Sequence, residues 1–117
     1  MKKVAVIGGG AAGMMAAITA GRCGAHVTVY ERNERVGKKI LVTGNGKCNF
    51  SNRSLGKEDY YGNRQKLERC FSIFSPEDAV DFFADAGMLV KERKGCLYPW
   101  SEQASTVLDL LRLEMGC

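Results

Sequence analysis

The sequence predicts an α/β fold with parallel strands, organised on an N-terminal βαβ unit, and three observations carry that prediction. A Val/Ile-rich run at 3–7 is stopped abruptly by glycines, a helix-favouring stretch follows, and a second β-branched run starts at Val27. The alternation is complete within about thirty residues, which suits a single strand–helix–strand crossover of right-handed sense.

Residues 3–7 are apolar at nearly every position, as expected of a strand buried on both faces. From 11 to about 23 the composition favours helix, with Met14, Ile18 and the small residues Ala16, Ala17 and Ala20 available for packing. Gly24 is placed to end it. Residues 27–30 form the second strand. Between 32 and 56, Gly37, Gly44, Gly46 and Gly56 lie among Asn and Ser, with one short apolar stretch at 40–42, so a long, irregular loop is expected. A helix is expected over 64–74. Another opens at Ser75-Pro76-Glu77-Asp78, with Ser75 as N-cap, Pro76 at the first position and acids in the first turn. Val80, Phe83 and Ala84 give it an apolar face, and Gly87 closes it. Residues 88–92 and 96–98 flank Arg93-Lys94-Gly95 as a small hairpin. A last amphipathic helix covers about 102–114, with Val107, Leu110, Leu111 and Met115 on one side. Phe82, Phe83 and Trp100 are expected to fill a core.

Hydrophobic residues make up 45% and charged residues 26% of the 117-residue chain, the mix of an ordinary soluble globular protein. The formal charge of +4 is spread along the chain without a basic stripe interleaved with aromatics, which argues against nucleic-acid binding. No apolar stretch is long enough to span a bilayer, so no membrane partner is expected. Lys2 and Lys3 before an apolar run imitate a secretory signal, but Gly8, Gly9, Gly10 and Gly13 break it. Five unevenly spaced cysteines without Cys-x-x-Cys, and a lone His26, give no metal site and point to reduced thiols in a cytoplasmic protein. Cys23, Cys70 and Cys96 read as packing residues, and His26 as structural.

Gly8, Gly10 and Gly13 follow the first strand with the spacing G-x-G-x-x-G. The first allows a tight turn, the second lets backbone approach a diphosphate, and the third lets the helix pack close to the sheet. Ala11 and Ala12 then open the helix, whose free N–H groups and positive dipole end face the phosphates. Glu31 ends the second strand 18 residues beyond Gly13, where a carboxylate accepts hydrogen bonds from an adenosine ribose. Ala17 and Gly24 are small where the crossover helix must lie close to the sheet. This is a Rossmann-like unit for a dinucleotide. Glu31 disfavours the 2′-phosphate of NADP, although the adjacent Arg32 offsets it in part; FAD and NAD remain alternatives on the fingerprint alone.

A second glycine cluster, Thr43-Gly44-Asn45-Gly46-Lys47-Cys48-Asn49, lacks the full phosphate-loop spacing. Its flexible backbone and N–H donors suit either an approach to a phosphate or flavin ring or a plain turn-rich surface loop. Lys38 and Lys39 lie near where a diphosphate would sit. Cys48 is expected to contact the cofactor; the loop beside Lys47 offers a way to lower its pKa, but without a partner thiol it cannot form a dithiol centre, and small size alone could suit the site.

The pieces V-I-G-G-G-A-A-G at 6–13, Y-E-R-N at 30–33, V-G-K-K at 36–39, T-G-N-G-K-C-N-F-S-N at 43–52 and Y-P-W-S-E-Q-A at 98–104 occur in this order. With them the chain resembles the N-terminal part of the BaiN/YhiN-like NAD(P)/FAD-dependent oxidoreductases, over essentially its whole length. Lys47 and Tyr98 depart mildly, at positions where that family often carries Arg and Phe. The resemblance implies FAD held by the glycine turn and Glu31, with 37–49 running along the diphosphate towards the flavin. It implies an incomplete domain: a βαβ core at about 3–31, a flavin-proximal loop at about 32–56 and a helical and hairpin region at about 57–117, the remainder of the protein being absent. The expected reaction is hydride transfer between NAD(P)H, FAD and a small-molecule substrate, with catalytic residues outside this chain. An NAD-binding dehydrogenase domain without flavin, or a non-catalytic nucleotide-binding fragment, are the alternative readings.

Overall fold

The structure is a computed structural model that describes residues 1–116. Two parallel strands, β1 (Lys3–Ile7) and β2 (His26–Tyr30), are joined by helix α1 (Ala11–Arg22). They pair in register from Lys3 with His26 to Ile7 with Tyr30. The Gly8 N–H donates to the Tyr30 carbonyl at 2.8 Å and extends the ladder to the first turn glycine. The α/β class with parallel strands is therefore realised.

Burial along both strands alternates, with Val4, Val6, Val27 and Val29 half-buried and Ile7 and Tyr30 exposed. The expectation of a strand buried on both faces is thus corrected. Among the described residues only α1 covers this two-stranded sheet, and a single layer can bury only every second side chain. Gly24 has φ +88° and ends α1 as expected, but a side chain there would meet nothing within 4 Å, so it is no close-packing position.

The segment expected to be an irregular loop is more regular than that. Residues Lys38–Gly46 make 3-10 turns, interrupted at Thr43, Gly44 and Asn45, and β3 (Ser51–Asn52) follows. Strand β3 joins β4 (Val90–Arg93) and β5 (Cys96–Pro99) in an antiparallel sheet ordered β3-β5-β4. Arg93 pairs with Cys96, so the hairpin turn is two residues, Lys94 and Gly95, both at positive φ. That is the primed turn that matches strand twist, and Arg93 lies in the strand rather than in the turn.

Helices α2 (Arg64–Ile73), α3 (Pro76–Asp85) and α4 (Ala104–Met115) complete the chain. Ser75 and Asp78 form a reciprocal capping box at the start of α3. The core lies mainly between α1 and α4, where Met14 and Ile18 meet Val107, Leu108 and Leu111, with Ile40, Cys48 and Phe83 closing it. Leu108 is a core residue that the expected apolar face omitted, while Ala16 and Ala84 are exposed. Trp100 is also exposed, with the Lys91 ammonium 5.1 Å above its ring, because the turn after β5 swings it out of the core. Cys23 and Cys70 are exposed and Cys96 is half-buried, so of these three none is a fully packed core thiol. His26 is exposed at the start of β2. No described helix is long and apolar enough to cross a membrane.

Gly37 sits where the chain turns from β2 under α4. Its φ is +73°, and a Cβ there would lie 2.2 Å from Leu108 Cδ1 and 3.0 Å from Met14 Sδ. Left-handed strain and overpacking then act together, so Gly37→Ala is expected to destabilise by about 2–5 kcal/mol in urea unfolding. A loss below about 1 kcal/mol would contradict this packing.

Candidate functional site

The C-terminal ends of β1 and β2 lie side by side, so the glycine turn that leaves β1 and the acid that ends β2 meet. Glu31 Oε1 accepts the Gly9 N–H at 2.8 Å, and Oε2 accepts the Asn33 N–H at 2.7 Å. Donation first from Asn33 and then from Gly9 holds the carboxyl below its ordinary pKa. The hold of Glu31 on the turn is intact above the ordinary Glu value and is lost as pH falls through the lowered one. Each carboxylate oxygen keeps a further lone pair, so ribose hydroxyls can still donate to it.

Gly9 is the position that spacing alone treats as filler. Its carbonyl accepts the Gly37 N–H at 2.6 Å, and a Cβ there would stand 2.6 Å from Val36 Cγ1. Three segments therefore converge on Gly9, and no motif rule would have found it. Gly13 fills its expected role: a Cβ would lie 1.9 Å from the Gly8 carbonyl oxygen, so only glycine lets α1 start this close to the strand. Gly10 differs, with extended backbone and nothing within 4 Å of where a Cβ would stand. That side of the turn is open.

No side chain caps α1, and its first internal bond runs from the Met14 N–H to the Gly10 carbonyl at 2.9 Å. The N–H groups of Ala11, Ala12 and Gly13 therefore lead the helix without partners inside it, next to the open side of Gly10. An anion is the natural occupant of such a position.

The second glycine cluster also reaches this end of α1. Thr43, Cys48 and Asn49 line an apolar cavity of about 290 Å³ together with Ala11, Phe50 and Phe83. Gly44, Asn45, Gly46 and Cys48 all have positive φ, and the Cys48 N–H closes the loop on the Thr43 carbonyl at 3.0 Å. Asn45 and Cys48 carry side chains in a region that costs such residues of order 1–3 kcal/mol each, a strain that the surrounding structure sustains. Burial pushes the Cys48 thiol pKa up, with Thr43 opposing in part. Lys47 is exposed and does not lower it, since desolvation decides.

Arg32 and Lys38 line a different cleft of about 610 Å³, beyond Glu31 and against α4, together with Arg35 and Arg112. Lys39 is exposed and lines neither space. A further cleft of about 620 Å³ lies along α1, β2 and the end of α4, away from the glycine turn.

Comparison with known proteins matches residues 2–116 to the family described as HI0933-like protein Rossmann domain. The chain is 42% identical over 118 residues to the 3-dehydro-bile acid delta(4,6)-reductase of Clostridium scindens, covering 98% of this chain and 29% of that protein. It is 30% identical over 111 residues to the ribosomal RNA dihydrouridine synthase of Haemophilus influenzae, covering 93% of this chain and 27% of that one. An NADH oxidase of Thermoanaerobacter brockii is 49% identical over 41 residues, 35% of this chain and 6% of the oxidase. The chain thus spans less than a third of the length of the curated relatives it matches.

Two glycines of α1 separate close packing from mere helix propensity. Gly13→Ala is expected to destabilise by about 2–4 kcal/mol, because strand and helix must part. Gly21→Ala, with nothing within 4 Å, is expected to stabilise by about 0.5–1 kcal/mol. Urea unfolding of both variants reads the contrast, and equal effects would contradict the close approach at Gly13.

Proposed function

The chain belongs to the HI0933-like Rossmann-domain family, and from that premise we propose that it is the FAD-binding portion of a flavin-dependent oxidoreductase. The observation that carries the reading is the meeting of Glu31 with the glycine turn, beside an uncapped helix start that is open at Gly10. These residues fit FAD. The N–H groups of Ala11, Ala12 and Gly13 would hold its diphosphate, and Glu31 its adenosine ribose. The carboxylate would repel a 2′-phosphate, which favours FAD over NADP at this position.

When bound, FAD would supply the isoalloxazine that relays two electrons, as hydride, between a reduced nicotinamide and an organic acceptor. The chain's own part is to bind and orient. The Thr43–Asn49 loop contributes Thr43, Cys48 and Asn49 to the lining of the apolar cavity. Cys48, buried and with its pKa raised, serves there as a small neutral contact rather than as a thiolate nucleophile.

The relatives named as a reductase and a dihydrouridine synthase favour reduction of a carbon–carbon double bond, with hydride and proton added across it while NAD(P)H is oxidised. A small organic acceptor and a cytoplasmic setting complete the reading, the free thiol of Cys48 suiting that setting.

Purification followed by visible absorption tests the reading: a yellow protein that releases FAD on denaturation is expected. A colourless protein that binds NAD would move the assignment to a dehydrogenase domain without flavin. Glu31→Ala is expected to weaken FAD binding by about tenfold or more, because an acceptor is removed from the ribose. Unchanged affinity in that variant would mean that the carboxylate does not reach the cofactor.

A further inference from the structure

We propose that Arg112, on α4, is a positioning residue for the cofactor turn and acts through the loop that follows β2. Its Nη2 donates to the Val36 carbonyl at 3.1 Å. The next residue, Gly37, donates its N–H to the Gly9 carbonyl at 2.6 Å, and Gly9 in turn donates to Glu31. A continuous chain of hydrogen bonds thus runs from α4 through Val36, Gly37 and Gly9 to the carboxylate. Only its two ends, Arg112 and Glu31, are side chains, and everything between them is backbone.

Packing makes the chain stiff. Gly37 is wedged so closely under Leu108 and Met14 that no side chain fits there, and Val36 Cγ1 abuts Gly9. Helix α4 is itself fixed along α1 by that core and by the exposed Arg22–Glu114 ion pair at 2.6 Å. The loop is therefore pressed between the glycine turn and α4, and Arg112 holds it from the α4 side. A guanidinium donating to a carbonyl is a charge-assisted bond, stronger than a neutral one and directional. Losing it frees Val36 to shift. Gly37 then follows, and with it the register of Gly9 against Glu31. The ligand affected is the adenosine diphosphate part of a dinucleotide, so this part of the inference rests on the FAD reading above.

The experiment uses the full chain as Arg112→Met and Arg112→Lys, well below the unfolding transition, where a role confined to global stability leaves binding unmoved. In the unliganded protein, Arg112→Met is expected to speed hydrogen exchange at the Gly37 amide by about tenfold, with Arg112→Lys restoring part of the protection. FAD and ADP, titrated separately, are expected to weaken together by about tenfold in Arg112→Met. Combination with Glu31→Gln is expected to be less than additive, since both act on one turn. Unchanged Gly37 exchange would overturn the strut. Faster exchange with undiminished FAD and ADP affinity would overturn its role in positioning the cofactor. A wild-type chain that binds neither FAD nor ADP would overturn the cofactor reading and the ligand part of this inference, leaving exchange to decide whether Arg112 holds the loop.

Discussion

One hydrogen bond organises this site: the Gly9 N–H donating to Glu31 Oε1 at 2.8 Å. It ties the turn after β1 to the end of β2 and thereby fixes where the first N–H groups of α1 point. The parallel pairing of the strands brings the two segments to the same edge, and glycine at 9 lets Val36 and Glu31 close in on the backbone. A carboxylate that accepts two backbone N–H groups is oriented before any ligand arrives, which lowers the ordering cost of binding.

The second half of the site is built on different physics. Around Thr43–Asn49 the chain runs through left-handed conformations, two of them at residues with side chains, Asn45 and Cys48. Burial of Cys48 in the core helps to hold that shape, together with the close approach of Gly44 to the Asn49 backbone, where a Cβ would lie 2.4 Å from the amide nitrogen. The same buried side chain that anchors the loop also lines the cavity beside Ala11. Anchoring and lining are thus done by one residue, and its neutral thiol suits both.

Much of this was legible in the residues, and for local reasons. Strand, turn and helix follow from β-branched runs, glycine spacing and the Ser75 cap, because each depends on a few neighbouring residues. The close approach at Gly13 and the position of Glu31 after β2 were legible because the βαβ unit dictates them, whereas the bond from Gly9 to Glu31 was not. What was hidden depends on tertiary contacts. Gly9 matters only once β2 and the loop after it close on the turn, Gly37 and Arg112 only once α4 lies beside α1, and Arg112 is 76 residues from the Val36 carbonyl it holds. The exposed Trp100 and the raised pKa of Cys48 escaped for the same reason, since exposure and desolvation are decided by packing rather than by residue type.

The most direct measurement is FAD affinity in Gly10→Ala, compared with the unfolding free energy of the unliganded variant. Gly10 has extended backbone and open space around it, so the methyl group meets only what binds there. Stability is expected to stay unchanged within about 1 kcal/mol and FAD affinity to fall by about tenfold or more, as a diphosphate is pushed off the turn. Full affinity in that variant would contradict this.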